Sequence, residues 1–450
     1  MKQEQMQDAL SLIDDKYINE VEKLRTNKKK KRNLLTKGIA VAACFCIAFT
    51  AVIFAYNHNA VKAEDVMSGI VPNVIETEDL RDGNIIAADF AVKLLNASAK
   101  EGENTLVSPL SVLCALSMTL NGAEGETKAQ MEAVLGMSAE ELNGHIYNYI
   151  NSLPQGEKYK LNIANSIWFK DSPSLAVNRD FLQTNADYYG ASIYKAPFDK
   201  ETLKDINNWI EEKTDGMIPK ILDEISEEAI MYLVNALAFE AEWQEVYFEH
   251  QVSEGKFTLE DKSTVNAEFM YSDERLYIET ENASGFIKRY NGGKYAFAAL
   301  LPNEDITVSQ LIDTLKGDEL NETLSNPKLC AVKAKIPKFE TEFSIELSEA
   351  LRSMGINDAF DGGLADFSKL GTSTNGNIYI SRVLHKTFIS VGEKGTKAGA
   401  ATVVEMDTEG CIEILDSVKE VYLDRPFVYM LIDCETNTPF FIGAMMNPNA

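Results

Sequence analysis

The sequence of 450 residues is poor in the side chains that most enzymes and metalloproteins rely on. It has four histidines and six cysteines, with no Cys-x-x-Cys, His-Glu-x-x-His or Gly-x-Ser-x-Gly motif. These absences exclude the common zinc-binding spacings and the nucleophile turn of α/β-hydrolases. Gly392–Gly399 is glycine-rich but lacks the residue order of a phosphate-binding loop. An enzyme is therefore the least favoured class of protein, and we expect free thiols, no metal and no cofactor.

Basic residues are scarce in the body of the chain. The full sequence has a net charge of −26, and residues 57–450 hold 33 Lys and Arg against 63 Asp and Glu. A nucleic-acid-binding body would need a basic face, so nucleic acid is excluded as a partner. The 45% of hydrophobic and 25% of charged residues are typical of a globular protein.

One long apolar run lies near the N terminus. It extends without charge from Gly38 to Tyr56 and follows the basic cluster Lys28–Arg32. Its length is just sufficient to span a bilayer as a helix. Because the basic residues lie on its N-terminal side, we expect that end in the cytoplasm and the acidic body outside the cell membrane.

A cleavable signal peptide is the alternative interpretation of this run. Val61-Lys62-Ala63 has the small-residue spacing of a cleavage site, and cleavage after Ala63 would release a secreted protein. The run is longer than an ordinary signal peptide requires, which favours a retained anchor. The predicted parts of the chain are a cytoplasmic tail with the basic cluster (1–33), a transmembrane signal anchor (34–56), a linker (57–79) and a folded domain (80–450).

Helix and strand patterns are segregated along the folded domain. Ser108-Pro109 predicts a helix start, because Ser can cap free amides and Pro suits the first helical position. Asn121-Gly122 predicts the end of that helix, and Thr127 with Gln130 resembles the capping box of the next. Strand-like runs cover residues 161–169, 229–239, 296–301, 332–336, 378–391 and 426–446. Segregation of this kind favours an α+β fold over a wound parallel sheet.

The segment from Thr396 to Glu409 alternates like a strand with one buried face. Every charge in it falls on the face of Lys397, Glu405, Asp407 and Glu409. The opposite face is uncharged: Thr396, Ala398, Ala400, Thr402, Val404, Met406 and Thr408. Yet the segment begins like a loop, with Gly395 and Gly399 among small residues. A loop patterned to enter a sheet predicts a conformational switch.

Eight short motifs, in order along the chain, resemble those of the serpin family. They are Asn104–Ser111, Asn165–Trp168, Asn207–Thr214, Leu233–Trp243, Ile336–Phe339, Met354–Phe360, Ala365–Ser368 and Asp424–Pro448. The resemblance runs from about Leu80 to Pro448, and bacterial serpins of gut commensals are among the similar proteins. It implies a serpin fold: three β-sheets, about nine helices and an exposed reactive-centre loop.

The resemblance also implies an irreversible suicide-substrate mechanism against serine proteases. A protease cleaves the loop and, while it is still joined as an acyl ester, the loop inserts into the main sheet and distorts the protease. A charge on the inward face of the loop would oppose insertion, and that face is neutral here. The hinge that should move comprises Glu393, Gly395, Thr396, Ala398, Gly399, Ala400 and Ala401.

Two further groups of residues match the family. Ser108, Ser111, Asn235 and His385 match the shutter, a hydrogen-bonded cluster beneath the sheet where the strands part. Trp243 and Lys338 match the breach, where the loop first enters the sheet, and Lys338 should pair with Glu393. The same residues also have ordinary structural interpretations, as a helix cap, a core amide, a core aromatic ring and a surface ion pair.

Family spacing places the reactive bond at Glu409–Gly410. Because alternation continues through Ile414, cleavage at Cys411–Ile412 or Ile412–Glu413 remains an alternative. Glu409 would suit a glutamyl-preferring protease, whereas cleavage after Cys411 or Ile412 would suit an elastase-like one. By analogy with the gut-commensal proteins we expect an elastase-like or subtilisin-like target.

The expected partners are a serine protease, in a covalent acyl complex, and the membrane, through the N-terminal helix; we expect a monomer. The alternative is a non-inhibitory serpin that acts as an interaction or scaffold protein of the cell envelope.

Overall fold

The computed structural model of the protein describes residues 61–73, 75–77, 82–153, 159–226, 228–396 and 418–450. The predicted cytoplasmic tail and transmembrane segment, hinge residues 398–401 and the predicted reactive bond with its alternatives all lie outside these ranges. No helix within the described ranges is long and apolar enough to cross a membrane.

Nine α-helices occur among the described residues, as the resemblance implied. They are α1 (Gly83–Ser98), α2 (Pro109–Leu120), α3 (Gly125–Leu135), α4 (Ala139–Ser152), α5 (Arg179–Tyr189), α6 (Lys200–Lys213), α7 (Val308–Thr314), α8 (Gly317–Ser325) and α9 (Ser348–Met354). Two single-turn 3₁₀-helices lie at Glu249–Gln251 and Asp358–Phe360.

The starts of α2 and α3 test the predicted caps. The Ser108 side chain accepts a hydrogen bond from the Ser111 amide, and Pro109 opens α2, as predicted. The capping box at Thr127 is wrong, because α3 already begins at Gly125. The Thr127 hydroxyl instead accepts from the amide of Asp366, so a tertiary contact has taken the side chain that the sequence pattern assigned to a cap.

Eighteen strands occur in the described ranges, and every predicted strand run overlaps at least one of them. They are β1 (Glu64–Asp65), β2 (Thr105–Val107), β3 (Tyr159–Lys170), β4 (Leu175–Val177), β5 (Ser192–Ala196), β6 (Met231–Glu242), β7 (Val252–Thr258), β8 (Thr264–Glu279), β9 (Ala283–Arg289), β10 (Tyr295–Pro302), β11 (Lys328–Pro337), β12 (Phe339–Glu346), β13 (Gly371–Ser373), β14 (Arg382–Gly392), β15 (Gly395–Thr396), β16 (Val418–Tyr422), β17 (Phe427–Asp433) and β18 (Thr438–Met445).

These strands form three sheets among the described residues. The main sheet has the order β1-β5-β3-β6-β15-β14-β12. A nine-stranded sheet has the order β16-β11-β8-β9-β10-β17-β18-β2, with β7 paired to β8, and β4 pairs with β13. Long strands and helices are segregated in this architecture, so the predicted α+β class is confirmed.

The seam between β6 and β14 in the main sheet has two different segments. In its closed segment, Tyr232–Leu237 pairs in parallel with Arg382–Thr387. In its occupied segment, β15 lies between the two strands and is antiparallel to both: Thr396 pairs with Val391 of β14 and with Ala241 of β6. At this end of the seam the main sheet therefore already holds an additional strand between β6 and β14.

Hydrophobic packing holds both faces of this seam. Every residue of β6 from Met231 to Phe239 is buried, which requires cover on both sides of the sheet. Helix α2 lies against β3 and β6, so its N-terminal residues reach the sheet directly below the seam. The nearly continuous apolar sequence of β6 is typical of a strand that is covered on both faces.

Residues 61–73, within the predicted linker, lie on the folded body. Strand β1 pairs antiparallel with β5 at the edge of the main sheet. The amides of Lys62 and Ala63 donate to the buried carboxylate of Asp205 on α6, at 2.9 and 2.8 Å. Desolvation raises the pKa of Asp205 despite these two hydrogen bonds.

The three cysteines of the described ranges are free thiols, as their scattered spacing predicted. Burial raises the pKa of the Cys114 thiol to about 12 and that of Cys434 to about 11. Because the thiolate is the reactive form, neither side chain is activated as a nucleophile at neutral pH.

Candidate functional site

The four predicted shutter residues meet beneath the closed segment of the seam. The Ser108 amide donates to His385 Nε2 at 3.0 Å, and the Ser111 hydroxyl donates to Asn235 Oδ1 at 3.3 Å. Asn235 and His385 face each other across the seam, and His385 Nδ1 contacts Asn235 Oδ1. All four side chains are buried. This shutter cluster therefore joins β6, β14 and the N terminus of α2 by hydrogen bonds.

The contacts of His385 fix its protonation state. Since Nε2 accepts from the Ser108 amide, the ring proton lies on Nδ1 and is donated to Asn235. Complete burial lowers the pKa of His385 to about 3, so the ring is neutral at ordinary pH. A neutral ring can accept and donate at once, whereas a protonated ring could not accept from Ser108.

Asn165 is a member of this cluster that the sequence did not reveal. It lies on β3 directly opposite Asn235 of β6. In the amide orientation that satisfies its neighbours, Asn165 donates to the carbonyl of Ser111 at 3.1 Å. Its place in the motif Asn165–Trp168 was a signal, but only the register of β3 on β6 shows that it faces the shutter cluster.

Trp243, the predicted breach residue, fastens the turn between β14 and β15. Its ring Nε1 donates to the carbonyl of Gly392 at 2.8 Å, and its amide donates to the carbonyl of Lys394 at 2.8 Å. The Tyr247 amide donates to the carbonyl of Glu393 at 2.9 Å. The buried indole stacks on the Tyr290 ring, with centroids 4.3 Å apart and planes 6° from parallel. The start of the predicted hinge is thus held by backbone contacts.

The predicted ion pair between Lys338 and Glu393 is present at the same place. Lys338 Nζ lies 2.8 Å from Glu393 Oε1 and 3.0 Å from Glu268 Oε2. Partial burial opposes the charge of Lys338, but the hydrogen bonds to Glu393 and Glu268 outweigh it and raise the lysine pKa. The hydrogen bond from Lys338 lowers the pKa of Glu393. Because the Glu393 side chain is 41% exposed, solvent screens much of this attraction.

Gly395 and Thr396 are the two predicted hinge residues that the structure places inside the sheet. Both are buried, and Thr396 has no exposed surface. Gly395 has a φ of 153°, and a Cβ added there would lie 2.0 Å from the carbonyl oxygen of Ala241. Glycine is therefore required for this strand to approach β6 so closely.

Thr396 was predicted as the first residue on the inward face, and its hydroxyl is hydrogen-bonded to that of Tyr290. Tyr290 is a second residue that sequence reasoning missed. It follows β9 in the other sheet, and no local pattern connects it with the hinge.

Comparison with known proteins identifies the fold that carries this site. A family model described as "Serpin (serine protease inhibitor)" matches residues 86–448, and the chain therefore belongs to the serpin family. A serpin is not itself an enzyme, so the expectation that this protein is none is confirmed.

Known relatives are similar over most of their length. Serpin B10 of Homo sapiens is 29% identical, over 81% of this chain and 98% of that protein. Leukocyte elastase inhibitor A of Mus musculus is 27% identical, over 82% of this chain and all of that protein. The crystal structure of tengpin, a thermophilic serpin in its native state, is 48% identical, with a TM-score of 0.82 over 86% of this chain and 100% of that one.

Proposed function

We propose that the protein is an irreversible suicide-substrate inhibitor of serine proteases. The observation that carries the proposal is β15. Gly395 and Thr396, at the start of the segment predicted to insert, already form a buried strand between β6 and β14, antiparallel to both. A strand in that position and direction points toward the closed segment of the seam, which would have to part for the loop to insert along its length.

Extending the register of β15 explains why the next inward-facing residues, Ala398 and Ala400, are small and neutral. The next inward residue, Ala398, would come to lie between Phe239 and Ile389, which are both buried in the same core cluster. Each added residue would gain ladder hydrogen bonds to two neighbours and bury alternate side chains. Insertion would therefore release free energy that the uncleaved form retains kinetically.

The chemistry belongs to the protease. Its serine hydroxyl attacks the carbonyl carbon of Glu409, the Glu409–Gly410 peptide bond breaks, and the serine proton leaves with the new amino group of Gly410. The ester that forms is normally hydrolysed by water. Insertion of residues 397–409 would carry the esterified protease away and distort its active site before hydrolysis. Cleavage at Cys411–Ile412 or Ile412–Glu413 would leave an insertable strand of the same pattern.

An elastase-like or subtilisin-like protease is the target we favour. Cleavage after Cys411 or Ile412 would suit a shallow specificity pocket, which takes small or medium apolar side chains. One relative bears the name leukocyte elastase inhibitor, which states the target of that protein. Elastases are therefore among the proteases to be tested.

We further propose that the serpin domain, residues 80–450, acts at the cell surface as a monomer. Residues 34–56 would anchor it and residues 1–33 would lie in the cytoplasm. Of the predicted linker, residues 57–60 would join the anchor to the body, because residues 61–73 already lie on the folded body. Cleavage after Ala63 would instead give a secreted inhibitor. Fractionation of cells expressing the full chain separates these outcomes, because an anchored protein remains in the membrane after a carbonate wash.

The inhibitor is tested by incubating the full-length chain with pancreatic elastase, neutrophil elastase, subtilisin and a glutamyl endopeptidase. On a denaturing gel, a covalent band of summed mass supports trapping, and mass spectrometry of the released C-terminal peptide identifies the bond that was cut. Cleavage by every protease without such a band would contradict the proposal and favour a non-inhibitory serpin that serves as an envelope interaction or scaffold protein.

A further inference from the structure

The hydroxyl group of Tyr290 contacts the hinge from outside the main sheet. Tyr290 is completely buried and comes from the strand region after β9, more than a hundred positions before the hinge. Its ring is held on one side by the stacked indole of Trp243 and on another by Phe239, whose centroid is 5.3 Å away. The hydroxyl of this fixed ring is aimed at Thr396 Oγ1.

This contact is formed at the boundary between the two segments of the seam. Thr396 pairs with Ala241 and Val391, whereas the direct pairing of β6 with β14 begins again only at Leu237 and Thr387. Thr396 is therefore the last residue of the described hinge that has entered the sheet. Any further insertion has to proceed from this residue.

We propose that Tyr290 is a positioning residue for loop insertion, whose hydroxyl holds Thr396 docked in the sheet before the loop is cleaved. The inference rests on the proposed inhibitory function and names a residue that determines its efficiency. With Thr396 docked, the cleaved loop begins insertion from a strand that already exists. Without the Tyr290 hydroxyl, the buried Thr396 hydroxyl would have no hydrogen-bond partner among the described residues, and the docked hinge would lose population to the undocked one.

Docking matters because insertion of the loop competes with hydrolysis of the acyl ester. After acylation the ester is either hydrolysed, which releases an active protease, or carried away by insertion. A hinge that must first find its place in the sheet inserts later, so more acyl-enzyme is hydrolysed. The number of inhibitor molecules consumed for each protease trapped then rises, although formation of the acyl-enzyme is unaffected.

Conservative variants separate this role from general packing. Tyr290→Phe keeps the ring, its stacking on Trp243 and its volume, and removes only the hydroxyl. Thr396→Val keeps the branched shape and removes the other half of the contact, so it serves equally if Tyr290→Phe fails to fold. Tyr429→Phe is the matched control, because Tyr429 is also fully buried among aromatic rings but its hydroxyl has no hydrogen-bond partner in the described part of the chain.

Two measurements on the full-length chain test the proposal. Hydrogen exchange of the amides of Gly395 and Thr396 reports docking without any protease. The stoichiometry of inhibition, measured with a protease that the parent traps, reports how the acyl-enzyme divides between trapping and hydrolysis. We expect Tyr290→Phe and Thr396→Val each to speed exchange at these amides roughly tenfold and to raise the stoichiometry several-fold. The double variant should be no worse than either single one, and Tyr429→Phe should match the parent.

Unchanged exchange and unchanged stoichiometry in Tyr290→Phe, with a parent that traps its protease, would overturn the role of Tyr290 and leave the inhibitory function intact. An equal rise in Tyr429→Phe would also overturn it, because the effect would then be general packing. A parent chain that forms no covalent complex would instead overturn the proposed function, and with it any role of Tyr290 in trapping.

Discussion

The two segments of the seam between β6 and β14 are held together by different means. In the closed segment the strands pair directly, and the neutral, buried shutter cluster links Asn235 to His385 across the seam. In the occupied segment β15 keeps the strands apart and is fixed by the Tyr290 hydroxyl and by backbone contacts to Trp243. One segment resists opening, and the other is already open by the width of one strand. Insertion, as proposed, converts the first arrangement into the second.

A charge at the boundary of the two segments should abolish the conversion. Thr396→Arg would place a guanidinium at a position with no exposed surface, and the energetic cost of burying it unpaired is several kcal/mol. We expect the protein to become a substrate, cleaved in the loop without trapping. The measurement is formation of the covalent complex on denaturing gels, with a protease that the parent traps. Lys394→Arg, two residues earlier at an exposed position, is the control. Survival of full inhibition in Thr396→Arg would contradict insertion from this residue.

A substitution that prevents the close approach of β15 to β6 should displace β15 from the occupied segment. A Cβ in Gly395→Ala would collide with the backbone of Ala241 and would favour a different φ, at a cost of about 1–3 kcal/mol. We expect the hinge to leave the sheet, seen as faster hydrogen exchange at Thr396 and as more protease released per acylation. Gly392→Ala is the matched control, because a Cβ there would meet open space. Equal exchange in both variants would show that Gly395 is not required for docking.

Weakening the closed segment should lower stability. His385→Gln cannot reproduce both contacts of the ring and would leave the buried Ser108 amide or Asn235 without a partner, costing about 1–3 kcal/mol. We expect a lower midpoint in urea-induced unfolding and a faster spontaneous loss of inhibitory activity. The exposed His250 offers the control His250→Gln. Identical midpoints in the parent and His385→Gln would mean that the shutter cluster does not hold the seam.

The same histidine should make the closed segment sensitive to acid. The folded-state pKa of His385 is about 3, below its ordinary value of 6.5, so the unfolded chain binds a proton first as the pH falls. The stability that this group contributes is complete above about pH 6.5 and is lost progressively toward pH 3. Between pH 7 and pH 5 the loss should be about 2 kcal/mol in the parent and absent from His385→Gln. Parallel losses in the two proteins, measured by urea unfolding, would rule out His385 as the cause.

The smallest effect is expected at the ion pair of the occupied segment. Glu393→Gln removes the half-exposed carboxylate that pairs with Lys338. The ion pair contributes about 0–1 kcal/mol to the free energy of unfolding. Since the folded-state pKa of Glu393 is lowered, this contribution is present above pH 4.5 and disappears as the pH falls through the folded value. Thermal unfolding at low and high salt measures it, with Glu340→Gln on β12 as the control. If Glu393→Gln lowered stability as much as His385→Gln does, the ion pair would contribute as much as the shutter cluster, which would contradict this prediction.

Local patterns were sufficient for several elements. Ser108-Pro109 marked the start of α2, and the apolar runs located the buried strands β3, β6, β10 and β14. Period-two alternation also identified Thr396 as a residue built for burial. These predictions depend on neighbours in sequence, since caps and side-chain alternation are properties of a few consecutive residues.

Contacts between distant residues could not be predicted in this way. Asn165 faces the shutter cluster because of the register of β3 on β6, and Tyr290 reaches Thr396 from a different sheet. At Thr127 a tertiary contact replaced the predicted cap. The pairing of Lys338 with Glu393 was expected only from the family resemblance, although the structure shows the contact.

The sequence by itself determined the α+β class, the strand that is patterned for burial and the neutrality of its inward face, because these depend on residue type and spacing. Only the tertiary structure decided that Gly395 and Thr396 lie inside the sheet. Their position depends on the room beside Ala241 for a residue without a Cβ, and on a hydroxyl group brought from another sheet. Both are distances between parts of the chain that no local pattern encodes.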